Sequence, residues 1–337
     1  MAAPQCPACA AAVTETDVYC EACGHDLSQP PPAVPTAPAP VASRWVSSSG
    51  GPATCPGCGG KEFGAEGYCD NCGQRRASGM DHNELQLGGL AAVTDKGHRH
   101  HRNEDAVGLG LLESTVVGVI CDGVSSSNRP DAASNSAVDA AMPALVTALD
   151  KRSPAGDAIG AAARAGQAAA ALAAGPNPGS NPPASTFVCA VVEPDAVTVG
   201  WVGDSRAYWL PDADGEPKCL TVDDSVSARY AARGVAIPAE IPRSQAGALV
   251  RWLGADATDT VPHLHTFTPS GPGRVLVCSD GLFRYRPGAA ELAEAAPRIA
   301  PLATAQALVQ LALDAGGQDN ITVAVLPYPP QRGDEHD

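Results

Sequence analysis

Four aspartates stand at the ends of apolar, valine-rich runs, and that placement limits the folds open to the chain. Asp122 closes the run Val116–Cys121, and Asp204 lies in Val202-Gly203-Asp204-Ser205-Arg206, between Val197–Val202 and Ala207–Leu210. Asp280 follows Val275–Cys278 after one serine, and Asp319 stands just before Ile321–Leu326. Runs this rich in valine and isoleucine suit strands buried on both faces. An aspartate leaving such a strand is held by a rigid backbone and delivered to the edge of a sheet. Glycine beside three of them (Gly123, Gly203 and Gly281) lets the main chain approach a ligand closely. One Asp-Gly pair is ordinarily a turn; four acidic strand ends are poorly explained that way. Carboxylates that converge without lysines nearby repel one another unless divalent ions neutralise them. An oxygen-only donor set selects hard ions such as magnesium or manganese.

Further strands are expected over Ala106–Leu112 and Thr186–Val192. Helices are expected over Asp131–Leu149 and Gly156–Ala174, side by side between the second and third strands, and over Ala289–Ala296 and Thr304–Ala315. Gly175-Pro176-Asn177-Pro178-Gly179 ends the second of these. Strands grouped as hairpins with paired helices inserted predict a layered α+β fold, not alternating parallel units. Cys121, Cys189 and Cys278 fall inside the apolar runs and read as small buried residues.

The N-terminal part differs in composition and carries an internal repeat. Cys6-Pro-Ala-Cys9 precedes Cys20-Glu-Ala-Cys23 by ten residues, and Cys55-Pro-Gly-Cys58 precedes Cys69-Asp-Asn-Cys72 by the same interval. Each second pair follows tyrosine (Tyr19, Tyr68) and precedes glycine (Gly24, Gly73). Four thiolates in two close-spaced pairs can close a tetrahedron around zinc, and the duplicated spacing favours this over a disulfide or a redox pair. Units this short cannot bury a core, so zinc would supply most of their folding free energy. The expected organisation is a zinc ribbon over 1–27, a Pro/Ala/Ser-rich tether over 28–53, a second ribbon over 54–76, a linker over 77–87, a large domain over 88–328 and an acidic tail over 329–337.

Charge narrows the partners. With 22 basic and 37 acidic residues the net charge is -15, which argues against nonspecific binding to nucleic acid or an anionic membrane. Residues 1–27 hold no lysine or arginine and the second ribbon only Lys61, Arg75 and Arg76, so the ribbons are expected to recruit a protein partner. Met1 to Val13 shows neither a basic start nor a long apolar stretch, and the run Ile159 to Ala174 is broken by Arg164 and Gln167. No leader and no membrane span is expected, and a cytoplasmic location follows.

Taken in order, the segments of the large domain resemble the metal-dependent protein phosphatase family, protein phosphatase type 2C. The resemblance rests on Thr94-Asp95-Lys96-Gly97, Asn103-Glu104-Asp105-Ala106, Asp122-Gly123, Asp131 with Ala133 and Ser134, Ser185-Thr186, and Val202 through Tyr208. It continues through Leu220-Thr221-Val222-Asp223, Leu253-Gly254, Ser279-Asp280-Gly281-Leu282 and Asp319-Asn320-Ile321-Thr322, spanning about residues 88 to 327. It implies a four-layer sandwich of two antiparallel β-sheets flanked by α-helices, here preceded by the two ribbons. It also implies hydrolysis of phosphoserine and phosphothreonine in proteins modified by a serine/threonine kinase. Two Mn2+ or Mg2+ ions, with a weaker third, would be the cofactors. By the resemblance Asp122 bridges two ions, the Gly123 carbonyl binds the first, Asp280 and Asp319 bind the second, and Asp204 joins Asp280 at the third. Glu104 and Asp105 would orient bound water or ligate directly.

Three departures mark this sequence. His100 stands where the family carries a phosphate-gripping arginine, flanked by Arg99, His101 and Arg102. Its imidazole could bind phosphate, with Arg102 beside it, or protonate the leaving alkoxide. Val124-Ser125-Ser126-Ser127 replaces glycines and a frequent histidine, and Asp224 replaces a histidine common after Asp223. The competing reading is a catalytically weak phosphatase-like scaffold recruited through its ribbons.

Overall fold

The valine-rich runs pair into two six-stranded antiparallel sheets. A computed structural model describes residues 5–6, 11–14, 17–24, 26, 43–49, 71 and 81–330, apart from 214, 243 and 244. Residues 1–41 and 42–337 form separate units. In the larger unit one sheet has the order β1 (Arg44–Ser47), β4 (Asp105–Leu111), β5 (Val116–Asp122), β7 (Phe187–Val192), β8 (Val197–Val202) and β12 (His263–Phe267). The other runs β10 (Lys218–Cys219), β9 (Arg206–Pro211), β13 (Gly273–Cys278), β14 (Ile321–Tyr328), β3 (Leu90–Asp95) and β2 (His82–Leu87). A short pair joins β6 (Ala184–Ser185) to β11 (Leu253–Gly254).

Period-two alternation on these buried strands builds three apolar layers. On β5, Val117, Val119 and Cys121 pack with Ala137, Met142 and Ile159 of α1 (Pro130–Asp150) and α2 (Ala155–Ala173). The alternate residues Val116 and Ile120 meet Val275 and Val277 of β13 between the sheets. Leu276 and Cys278 of β13 then face Leu292 of α5 (Ala289–Ala295) and Leu308 of α6 (Pro301–Asp314). Helix, sheet, sheet and helix are thus stacked in the expected four-layer sandwich. The two shorter helices are α3 (Val226–Ala232), capped by Ser225, and α4 (Asp280–Phe283).

Several elements depart from the sequence expectation. Residues 44–47, expected within the tether, form β1, whose register runs from Arg44↔Leu111 to Ser47↔Gly108. Val46 packs on the inter-sheet core, and buried Ser48 exchanges hydrogen bonds with the main chain of Val107 at 2.9 and 3.0 Å. Residues 82–87, expected as linker, form the polar edge strand β2, whose residues alternate toward and away from the core. The alanine-rich β3 is buried from Leu90 to Thr94 with only Val93 and Thr94 to carry the β-branched signal of a strand. Among the described residues no helix is long and apolar enough to cross a membrane.

Candidate metal centre

The sheets deliver their acidic ends to one place. Asp105 opens β4 and is paired directly with Asp122 at the end of β5. Asp280 begins α4 just after β13, and Asp319 precedes β14, the antiparallel neighbour of β13. Asp204 sits in the tight connection between β8 and β9. Close packing of main chain fixes these ends. A Cβ on Gly281 would come within 1.9 Å of the Asn320 carbonyl oxygen, and one on Gly123 within 2.7 Å of the Glu104 carbonyl oxygen, so only glycine fits either place.

Hydrogen bonds lock the carboxylates individually. Asp105 Oδ2 accepts from the hydroxyls of Ser279 and Thr322, each at 2.7 Å. Asn103 Nδ2 donates at 2.7 Å to Thr94 Oγ1, which stands 2.6 Å from Thr322 Oγ1 and extends the chain. Asp105 Oδ1 is buried with no hydrogen-bond partner. The Glu104 amide donates to Asn320 Oδ1 at 2.8 Å, while Asn320 Nδ2 donates to the carbonyls of Lys96 and Arg102. One asparagine side chain therefore staples the 96–104 segment to the start of β14. The Asp122 amide donates to Thr186 Oγ1 at 3.0 Å, and the Ser125 hydroxyl donates to Glu104 Oε2 at 2.8 Å.

The electrostatics fit a divalent-ion site. Burial, then the charges of Asp105, Asp280, Asp204 and Asp319, pushes the Asp122 carboxyl well above its usual range. Burial also raises Asp105 to about 7, with Asp319 and Asp280 adding to it against the hydroxyl bonds. Asp204 is raised to about 7 by burial and then by Asp280 and Asp223. Asp280 is raised by burial and Asp319, and Arg284 and His100 oppose the shift. Asp105, Asp122, Asp204 and Asp280, four carboxyls that burial and one another hold back from ionising, stand with Asp319 as an all-oxygen donor set, one member of it with an orphaned buried oxygen, of the kind that hard divalent cations satisfy.

The positive groups divide. His100 joins the cluster, its Nε2 3.1 Å from Asp319 Oδ1 and its Nδ1 3.7 Å from Glu104 Oε2. Arg102 turns away and pairs with Asp131 at 3.0 Å. Arg284, which sequence reasoning missed, bridges Asp280 and Asp319 through Nη2 at 2.8 and 3.0 Å. Its only sequence signal was a position four residues after Asp280, meaningful once a helical turn starts there. Asp224, the departure after Asp223, is a buried hub. It accepts from the Gly203 amide at 3.1 Å and from Arg251 at 3.2 Å, and lies 2.9 Å from His263 Nε2. It thereby ties the connection that carries Asp204 to β12.

In the N-terminal unit the ligand atoms of Cys6, Cys20 and Cys23 lie within 4.8 Å of one another. Cys6 Sγ and Cys23 Sγ are 3.7 Å apart, well beyond the ~2.0 Å of a disulfide. Sulfurs at the corners of a tetrahedron with ~2.3 Å bonds to zinc stand about 3.8 Å apart. Gly24, with φ of 73°, turns the chain so that its amide donates to the Cys20 carbonyl at 2.7 Å. Cys9 of the first expected ribbon and Cys55, Cys58, Cys69 and Cys72 of the second lie outside the described residues.

Comparison with known proteins identifies the family and the fold. Residues 94–313 match the family model described as protein phosphatase 2C. The serine/threonine protein phosphatase PstP of Mycobacterium tuberculosis is 31% identical over 242 residues, covering 70% of this chain and 44% of PstP. The chain thus spans less than half the length of the curated relatives it matches. The catalytic domain of PstP, solved in complex with two manganese ions, aligns with a TM-score of 0.54 at 28% identity, covering 70% of this chain and 96% of that one. Stp1 of Staphylococcus aureus, another serine/threonine phosphatase, aligns with a TM-score of 0.60 at 24% identity over 71% and 94% of the two chains and supports the fold.

Proposed function

The chain belongs to the protein phosphatase 2C family, and from that premise we propose that it is a metal-dependent serine/threonine protein phosphatase. The convergence of Asp105, Asp122, Asp204, Asp280 and Asp319 on one another's electrostatic field carries the proposal. Asp122 would be shared by two ions, with the Gly123 carbonyl serving the first and Asp280 and Asp319 the second. Asp204 and Asp280 would serve a third, and the orphaned oxygen of Asp105 would be available to an ion or its water. The ions are Mn2+ or Mg2+. When bound, they supply a water acidic enough to attack phosphorus near neutral pH.

The chain's own residues prepare the rest of the reaction. Ser279 and Thr322 hold one Asp105 oxygen, and Ser125 holds Glu104, so neither carboxylate must reorganise as the phosphoryl group arrives. His100, held against Asp319 and Glu104, donates a proton to a phosphoryl oxygen or to the leaving alkoxide. Arg102, paired with Asp131 at the half-exposed rim, meets the substrate only after leaving that partner.

Substrates are proteins phosphorylated by a serine/threonine kinase, and the location is cytoplasmic. Cys6, Cys9, Cys20 and Cys23, and likewise Cys55, Cys58, Cys69 and Cys72, each hold one structural Zn2+. The spacing of the three thiols supports this assignment, and the ribbons are surfaces for a protein partner. The direct test is manganese-dependent phosphate release from a phosphothreonine peptide by the wild type and by Asp280→Asn. The variant should lose at least ~100-fold in rate. A wild type no faster than the variant would leave the scaffold reading standing.

A further inference from the structure

We propose that Arg284 is a built-in competitor for the second cation, so that the chain takes up that ion only by displacing its own guanidinium. The inference rests on the two-metal reading and adds a device that limits metal occupancy. A single nitrogen, Nη2, lies 2.8 Å from Asp280 Oδ2 and 3.0 Å from Asp319 Oδ2, the two carboxylates assigned to that ion. His100 Nε2 stands 3.1 Å from the other Asp319 oxygen, Oδ1. The Asn320 amide donates to that same Oδ1 at 3.0 Å. A carboxylate oxygen can accept more than one contact, but Nη2 sits against one oxygen of each carboxylate, so an ion held by both meets the guanidinium's charge at their shared face.

The local structure makes that exchange feasible. Arg284 directly follows the four-residue helix α4, and its amide donates to the Asp280 carbonyl at 2.9 Å, so its backbone stays in place whatever the side chain does. The side chain is 46% exposed and can swing into water, where a guanidinium is fully solvated. Arginine keeps its charge across the whole working pH range, so the competition depends on ion concentration and not on protonation. An exposed ion pair of this kind is weak, and competition by it moves affinity by a modest factor. Without ions the same guanidinium relieves the repulsion between Asp280 and Asp319. It therefore supports the metal-free fold while opposing the metal-bound one.

Those opposed effects separate the proposal from a simple surface salt bridge. Manganese titrated calorimetrically into the metal-free full chain should give two sites. In Arg284→Met, which keeps the stem and removes the charge, one of these two sites should tighten about threefold to tenfold. Arg284→Lys, which keeps a charge, should stay near the wild type. In thermal melts the metal-free Arg284→Met protein should melt below the wild type, and its gain on adding manganese should be larger. Arg284→Gln serves as a second neutral variant should the methionine form fold poorly. Unchanged or weaker manganese binding in both neutral variants would overturn the proposal and leave the phosphatase reading intact. A wild type that binds no manganese would overturn the two-metal reading, and this inference with it.

Discussion

Replacing Asp105 with asparagine should stabilise the metal-free protein above neutral pH and destabilise it in acid. Asp105 is enclosed at 4% exposure, with one oxygen bonded to Ser279 and Thr322 and the other orphaned. Burial raises its carboxyl to about 7 from an ordinary 3.8. Between those values the folded chain holds a proton that the unfolded chain has released, so stability falls as pH rises through that window. Above about 7 both states are ionised and the penalty is constant. The interval from 3.8 to about 7 corresponds to a ceiling of ~4 kcal/mol. Asparagine removes this dependence. Its amide oxygen can still accept from Ser279 and Thr322, but its NH2 takes the orphaned position at a cost of about 1–3 kcal/mol. The net gain near pH 8 is thus ~1–3 kcal/mol, turning into a loss of about the same size near pH 4. Urea unfolding of both metal-free proteins across this range, followed by tryptophan emission, measures the difference. Trp45, Trp201, Trp209 and Trp252 all lie in the 42–337 unit, so the signal reports that unit. Contributions from Asp204 are common to both proteins and cancel. A difference that does not change between pH ~4.5 and ~8 would refute the assignment of Asp105 as a carboxylate penalised by burial.

Two further outcomes follow from the site and the ribbon. His100→Ala should lower kcat on a phosphothreonine peptide by more than ~10-fold at saturating manganese; an unchanged rate would remove His100 from the chemistry. Cys20→Ser should reduce bound zinc, measured by elemental mass spectrometry, from two ions per chain to one, with the melting of the 42–337 unit unchanged. Retention of both ions would refute the ribbon assignment for Cys6, Cys20 and Cys23.

What the sequence revealed, and what it hid, divides along a physical line. Asp122 and Asp280 were legible because β5 and β13 are apolar on both faces, and such runs have one stable use, the middle of a packed sheet. Once a strand is fixed, its terminal residue is fixed with it. β3 escaped because Leu90-Ala91-Ala92-Val93-Thr94-Asp95 is half alanine and threonine, and its place was set by pairing with β14 and β2, a long-range effect. β1 escaped because four residues carry no period, and Val46 gains its burial from β4, about sixty residues away in the chain. Asp224 read as a gap in a motif, but His263, 39 residues onward, turns it into an anchor. The cations were the least legible part. A carboxylate on a strand end has almost no freedom, whereas an arginine can reach several partners from one backbone position. Arg102 and Arg284 are both near clustered aspartates in sequence, yet one turns to Asp131 and the other to Asp280 and Asp319. Sheet-borne carboxylates are thus placed by the strands that carry them, while the partners of Arg102 and Arg284 are settled only by which carboxylate each side chain reaches in the folded chain.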